Sequence, residues 1–451
     1  MVDLVSPLEA LFLIGEAPHR PMHVGAIQLF EPPPGAGPDF GLDTYRKLLS
    51  DNRFDRTFRK RPRSVGGVAM PLWHWDREVD LARHLARWAP ARPGGTEQLL
   101  DLVSWLYSRR LPADRPLWDV NVIEGLRGGE LALFVRIHHA VTDGVAGQHA
   151  LHRGLDHEPV PVAYGPWHAE PPRPRRAAAG RTGSPGVGTA LARLARAART
   201  VITDAALVRP WETPATLFNV AAGGDRRCEL YSCDLNRITA IADAADASIN
   251  DVVLAVTGGA LRRYLLCRNA LPDRSLVAMV PVSLRSGTEA RSSGGVKVAA
   301  VLCPLGTDTA DPALRLDRIK AAMGRNKQIY RELSATAAMA LTAALVSPLA
   351  LAFLPRPLAR ITPPFNIVVS SMPVPRGPMH LNGARLTASY PLSIPFDGQA
   401  LNVTLTIADD HIDFGMVACR TTVPDLNRFP GMLAAALRET EAALLIRAGS
   451  E

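Results

Sequence analysis

The sequence predicts a mixed α/β protein, α+β in its irregular alternation, built as two domains. Short runs rich in branched and aromatic residues alternate with helix-period stretches, without the regular strand-helix rhythm of a dinucleotide-binding fold. A chain of 451 residues that is 47% apolar can bury a large core, yet it exceeds one ordinary domain. Residues 159–186 carry seven prolines and almost no periodic apolar pattern, which marks an extended linker. The expected division is residues 1–160, a Pro- and Arg-rich linker with an amphipathic helix over 161–212, and residues 213–451.

In chain order, residues 22–30 (MHVGAIQLF) and 131–138 (LALFVRIH) predict strands. Past the proline-rich stretch, Leu191, Leu194, Ala198, Val201, Ile202 and Ala205 fall on one helical face, with Arg193, Arg196 and Arg199 opposite. Such a helix suits an anionic membrane surface or the protein's own core equally. Residues 248–251 (SIND) resemble a capping box opening a helix that continues to Arg268. Residues 276–284, 298–305, 365–371 and 401–407 predict further strands, and 311–333 a long helix. Residues 335–354 are uncharged and long enough in principle to cross a bilayer, but Pro348 and the many small and hydroxyl residues favour a buried or membrane-grazing helix pair.

Charge and composition exclude several functions. The net charge is +8, but residues 161–209 hold eight arginines against Glu170 and Asp204, so the rest is nearly balanced and no nucleic-acid-binding domain is expected. No GxGxxG or GxxxxGK[ST] stands where a phosphate loop should, which argues against nucleotide-driven chemistry. Cys228, Cys233, Cys267, Cys303 and Cys419 are scattered, without CxxC spacing or a nearby His, and suggest buried thiols in a reducing compartment and no metal site. Asp3 and Glu9 near the N-terminus, with no basic leader, point to a cytoplasmic protein.

The chemistry concentrates in residues 131–156, LALFVRIHHAVTDGVAGQHALHRGLD. A strand runs into His138 and His139, a short turn follows, and Asp143 and Gly144 open a helix. Alternate strand residues point to opposite faces, so the two imidazoles cannot project the same way. Transfer of an acyl group to an alcohol needs a neutral base near the hydroxyl, and imidazole titrates closest to neutrality. A carboxylate often fixes the tautomer of such a ring, and Asp143 is the nearest candidate. The plainer alternatives are an N-cap for Asp143 and ordinary strand-end positions for the histidines.

HHAVTDG matches the HHxxxDG signature of CoA-dependent acyltransferases and their relatives, among them peptide-synthetase condensation domains and polyketide-associated acyltransferases. Residues 6–9 (SPLE) with Phe12 and Leu13, 22–25 (MHVG), 115–118 (RPLW), 250–255 (NDVVLA), 281–285 (PVSLR) and 376–420 resemble, in order, landmarks of the bacterial wax ester synthase/diacylglycerol O-acyltransferase family. The resemblance runs from residue 6 to about 425.

It implies two domains like chloramphenicol acetyltransferase with a substrate channel between them. It also implies His139 as base, His138 as its support, a mainly structural Asp143, and close packing at the helix start by Gly144. Asn250 and Asp251 would lie near the channel, though a capping role explains them as well. Ser283 and Arg285 would reach the cleft or the domain interface, and Trp118 would anchor the core. The implied substrates are a long-chain acyl-CoA, as co-substrate, and a diacylglycerol or fatty alcohol. No metal, other cofactor or acyl-enzyme is implied, and the expected place of work is the periphery of a membrane or lipid droplet.

The chain departs from the family's Ser-Asn-Val-Pro-Gly-Pro at residues 370–375 (SSMPVP), where Ser371 replaces an amide and Val374 a glycine. A backbone shape needing positive φ would be altered there, which bears on substrate preference and leaves the His139 chemistry untouched. The competing functions are a condensation-type or polyketide-associated enzyme using a carrier-bound acyl group, and a non-catalytic lipid-binding homologue.

Overall fold

The computed structural model describes residues 2–65, 68–142, 144–169, 211–283, 298–350 and 364–448, with 195–197, 199–201, 203–204 and 207–209. The first half supplies β1 (Val2–Leu4), α1 (Pro7–Gly15), β2 (His23–Glu31), α2 (Phe40–Ser50), β3 (Lys60–Val65) and β4 (Val68–Trp75). It continues with β5 (Leu85–Trp88), α3 (Thr96–Tyr107), β6 (Trp118–Ile123), β7 (Leu131–His138) and α4 (Gly144–Arg153). The second half begins with β8 (Arg226–Asp234), α5 (Leu235–Ala244), α6 (Ile249–Leu266), β9 (Val277–Ser283), β10 (Val298–Pro304), α7 (Pro312–Glu332) and α8 (Ala335–Ala350). It ends with β11 (Ile367–Pro373), β12 (His380–Leu381), β13 (Ala384–Leu392), β14 (Leu401–Ile407), β15 (His411–Cys419) and α9 (Phe429–Ala448).

Two six-stranded sheets organise these elements, in the orders β12-β13-β2-β7-β6-β5 and β10-β9-β11-β14-β15-β8, beside a small sheet β1-β4-β3. β7 is central to the first sheet and all eight of its residues are buried, which explains a run of branched and aromatic residues with little polar alternation. Its one charge, Arg136, is satisfied: Nε and Nη2 donate to the two carboxylate oxygens of Asp119 at 3.0 and 2.5 Å, and Nη1 to the carbonyl of Arg109 at 2.7 Å. A guanidinium buried this deeply stands only because its donors are matched. Trp118 anchors the same layer. It stacks on His84 and Trp167 with centroids 4.1 and 5.1 Å apart, and its indole donates to the Phe58 carbonyl at 2.9 Å.

The sheets do not divide at the linker. β13, from the second half, pairs antiparallel with β2 over Arg385 to Leu392 and so completes the first sheet, inside the range 213–451 that the sequence assigns to the other domain. Side chains of the second sheet hold its free edge: Thr406 donates to the Ser389 carbonyl at 2.6 Å, and Asp413 accepts from the Ser389 N–H at 2.7 Å. The approach is close enough to dictate a glycine, because a Cβ at Gly415 would lie 1.9 Å from the Pro391 carbonyl oxygen. Each half has its own apolar core, and a third cluster joins them through Tyr107, Phe134, Tyr390, Cys228 and Val417.

The strands expected at 131–138 and 401–407 form over those residues, and the other expected strands form within a few positions. The proline-rich stretch lies mostly outside the described residues. In the helix that follows it, Ala197 and Val201 join the core of the second half while Arg196 and Arg199 stay exposed. Of the uncharged run 335–354, residues 335–350 form one helix through Pro348 with Ala338, Leu341 and Leu345 buried, where a pair was expected, and 351–354 lie outside the described residues. Among the described residues, no helix is long and apolar enough to cross a membrane. Four of the five thiols are buried, but Cys267 is exposed, contrary to expectation: it is the C-cap of α6, where the chain turns outward.

Candidate active site

The register of β2 on β7 builds the site. His23 pairs with His138, and the ladder runs one bond further, from the His139 N–H to the Met22 carbonyl at 2.9 Å. On the opposite edge the His138 N–H donates to the Leu117 carbonyl at 2.9 Å, so the turn is clamped from both neighbouring strands. The Val141 N–H then bonds back to the His138 carbonyl at 2.9 Å, and α4 follows, packed against β11 of the second sheet. The His138-His139 turn therefore sits at the seam between the halves.

The two imidazoles do project differently. His138 is fully buried. Its Nδ1 accepts the Ala140 N–H at 3.1 Å, so the proton of the neutral ring is on Nε2, which faces Glu16 Oε1 at 3.7 Å. His139 is half-buried and lies flat against Phe12 of α1, centroids 4.2 Å apart and planes 8° from parallel. Behind the turn His23 contacts the Tyr107 carbonyl through Nε2 at 3.0 Å, and the Tyr107 hydroxyl donates to the His23 carbonyl at 3.0 Å.

Electrostatics keep His138 neutral. Burial, aided by His139, lowers its pKa to about 3; burial also lowers His23 well below the ordinary range and His84 to about 4, and raises the carboxyl of Glu16. A base whose folded pKa lies below its unfolded value stabilises the fold above the unfolded value, near 6.5, and loses that stability as the pH falls toward the folded one. The melting temperature is therefore expected to drop between pH 6.5 and 4, and a His138→Gln variant to show a shallower drop. An unchanged slope in that variant, followed by circular dichroism, would contradict a buried neutral His138.

The remaining candidates separate. Asp143 lies outside the described residues, as does Arg285; Gly144 opens α4, and Ser283 ends β9 with its side chain outside the description. Asn250 and Asp251 stand in the first turn of α6. There Ser248 and Asp251 form the expected capping box, with Asp251 Oδ2 accepting the Ser248 N–H at 3.0 Å and Ser248 Oγ the Asp251 N–H at 3.3 Å. Ser370 and Ser371 lie on β11, the strand that α4 touches. Asp246, Asn269 and Asn382 are the described non-glycine residues with positive φ, and Val374 is not among them, so the departure at 370–375 follows a different backbone path from a positive-φ glycine. Surface cavities of about 360 Å³, lined by Lys47, Asp51 and Tyr164, and about 330 Å³, lined by Arg196 and Arg331, do not include His139.

Sequence reasoning named Phe12 and His23 only as family landmarks and passed over Glu16. For Phe12 and His23 the signal was their place in those landmarks; Glu16 carried none, and more than 110 residues separate each of the three from the turn it touches.

A buried ladder ending in a paired-histidine turn, at the seam of two sheet-and-helix halves joined by an exchanged strand, defines the two-domain, condensation-like acyltransferase architecture. Residues 5–253 match the wax ester synthase/diacylglycerol acyltransferase catalytic domain, and residues 294–441 the C-terminal domain of the same family. The chain belongs to that family. It is 44% identical to a Mycobacterium tuberculosis protein named as a diacylglycerol O-acyltransferase, over 98% of this chain and 100% of the relative, and 42% identical to a second over the same shares. The wax ester synthase/diacylglycerol acyltransferase from Marinobacter aquaeolei VT8 superposes with a TM-score of 0.79 at 32% identity, covering 99% of both chains. The first condensation domain of the CDA synthetase shares the fold alone, with a TM-score of 0.55 at 16% identity.

Proposed function

We propose that this protein is an acyl-CoA-dependent O-acyltransferase that esterifies diacylglycerol or a long-chain fatty alcohol, with His139 as general base. The observation that carries the assignment of the base is the division between the histidines: His138 is enclosed with Nδ1 occupied by the Ala140 N–H, whereas His139 is half-buried at the seam on a clamped backbone. His138 supports the turn, Gly144 opens the helix beyond it, and Asp143 takes the mainly structural role that the family resemblance implies.

In the reaction His139 takes the hydroxyl proton as the alcohol oxygen bonds to the thioester carbonyl carbon. The tetrahedral intermediate collapses with cleavage of the C–S bond, and the imidazolium returns the proton to the leaving thiolate as CoA. Such a base is worth roughly 10²- to 10⁴-fold in rate. The reaction needs no metal and no cofactor beyond the acyl-CoA co-substrate.

Both lipids partition into membranes, so the enzyme works at the cytoplasmic periphery of a membrane or lipid droplet. The outward-facing Arg196 and Arg199 and the uncharged α8, with Met339 54% exposed, are the contacts in this reading. One experiment covers substrate and surface: labelled palmitoyl-CoA, or the same acyl group on a carrier protein, is offered with diacylglycerol, hexadecanol and short alcohols in anionic vesicles. Ester from the CoA thioester with protein sedimenting on the vesicles is expected. Exclusive use of the carrier would replace this function by a condensation-type one, and lipid binding without ester by a non-catalytic one.

A further inference from the structure

We propose that Phe12 is a positioning residue for His139, fixing the plane of its ring and favouring the imidazolium that forms as the proton is taken; this rests on His139 as the base. The His139 N–H bond to the Met22 carbonyl sets the Cα position, and the orientation of the ring is a matter of its two side-chain torsions. A flat contact at 4.2 Å and 8° limits those torsions, because any rotation out of the plane opens a gap or a clash against Phe12.

The stack leaves the in-plane directions of both ring nitrogens uncovered by Phe12, so it constrains the base without blocking the path of a proton. It also acts unequally on the two protonation states. A neutral imidazole gains dispersion from the phenyl face, whereas an imidazolium at this separation gains electrostatic attraction to the ring quadrupole as well. An interaction stronger in the charged state than in the ground state speeds the chemical step instead of tightening substrate binding.

The phenyl ring is itself held by the way α1 is pinned. The helix opens with a capping box in which Ser6 and Glu9 bond reciprocally, Ser6 N–H to Glu9 Oε2 at 2.8 Å and Glu9 N–H to Ser6 Oγ at 3.3 Å. Beyond its last turn Arg20 Nε donates to the Gly15 carbonyl at 2.6 Å and Nη1 to Asp397 at 3.2 Å, tying the helix end to the second half. Glu16, next along, accepts the Met22 N–H at 3.5 Å and faces His138. The helix that carries the phenyl ring is thus braced against the strand that carries the imidazole.

The test compares Phe12→Tyr, Phe12→Leu and His139→Ala in the full-length protein. Phe12→Tyr keeps a stacking ring and is expected to hold kcat within about twofold; Phe12→Leu keeps apolar volume without a face and is expected to lower kcat about tenfold at nearly unchanged KM. In proton NMR spectra the His139 ring signals, identified by their loss in His139→Ala, should move downfield in Phe12→Leu as the ring current disappears. A Phe12→Leu effect confined to KM would make Phe12 a substrate wall, and normal kcat or unmoved ring signals would refute the stack's role; each overturns the proposal. Retained activity in His139→Ala would instead remove the base assignment on which it stands.

Discussion

Ester formation by a His139→Ala variant is expected to fall by about 10²- to 10⁴-fold, with the fold intact. The fold should survive because alanine keeps the N–H bond to Met22 and the lost ring, which stacks on Phe12, is only half-buried. His138→Ala contrasts with it. That ring is fully buried and bonded to the Ala140 N–H, so its removal should lower the melting temperature as well as the rate. Initial rates at saturating acyl-CoA, taken beside melting curves, separate the two. A His139→Ala protein with normal secondary structure and a rate within a few-fold of wild type would remove His139 as the base.

The second large effect is structural. Gly415→Ala places a Cβ 1.9 Å from the Pro391 carbonyl oxygen and 2.8 Å from its carbon, both backbone atoms that no side-chain rotation can move aside. Either β13 or β15 must shift, and the bonds from Thr406 and Asp413 to Ser389 go with it. A destabilisation of about 3 kcal/mol is expected, read as a lower midpoint in urea. Activity should fall too, because β13 flanks β2, and β2 supplies the pairing that clamps the histidine turn. Gly324→Ala is the control: it sits inside α7 with nothing within 4 Å of a new Cβ, so it should be neutral or slightly stabilising. Equal behaviour of the two variants would mean that the crossing at Gly415 is looser than described.

Much of the local structure was legible in the residues themselves. LALFVRIH reads as a strand and forms one, and period-two geometry alone separated His138 from His139. The Ser248 and Asp251 box stands where its spacing placed it, since capping is satisfied within one turn. The uncharged run at 335–354 was harder to interpret: apolarity does not distinguish a helix pair from one helix, and its described part, 335–350, is one helix packed on the core.

The residues alone carried the alternating architecture, the paired-histidine turn with its helix, and, through the ordered landmarks, the family. The crossing of β13 from one half to the other, the facing of Phe12 and His139, and that of Glu16 and His138 emerged with the packed fold. The physical reason is range. Propensity, capping and strand alternation act over a few residues, whereas register and packing join positions more than 110 residues apart and are set by the free energy of the whole chain.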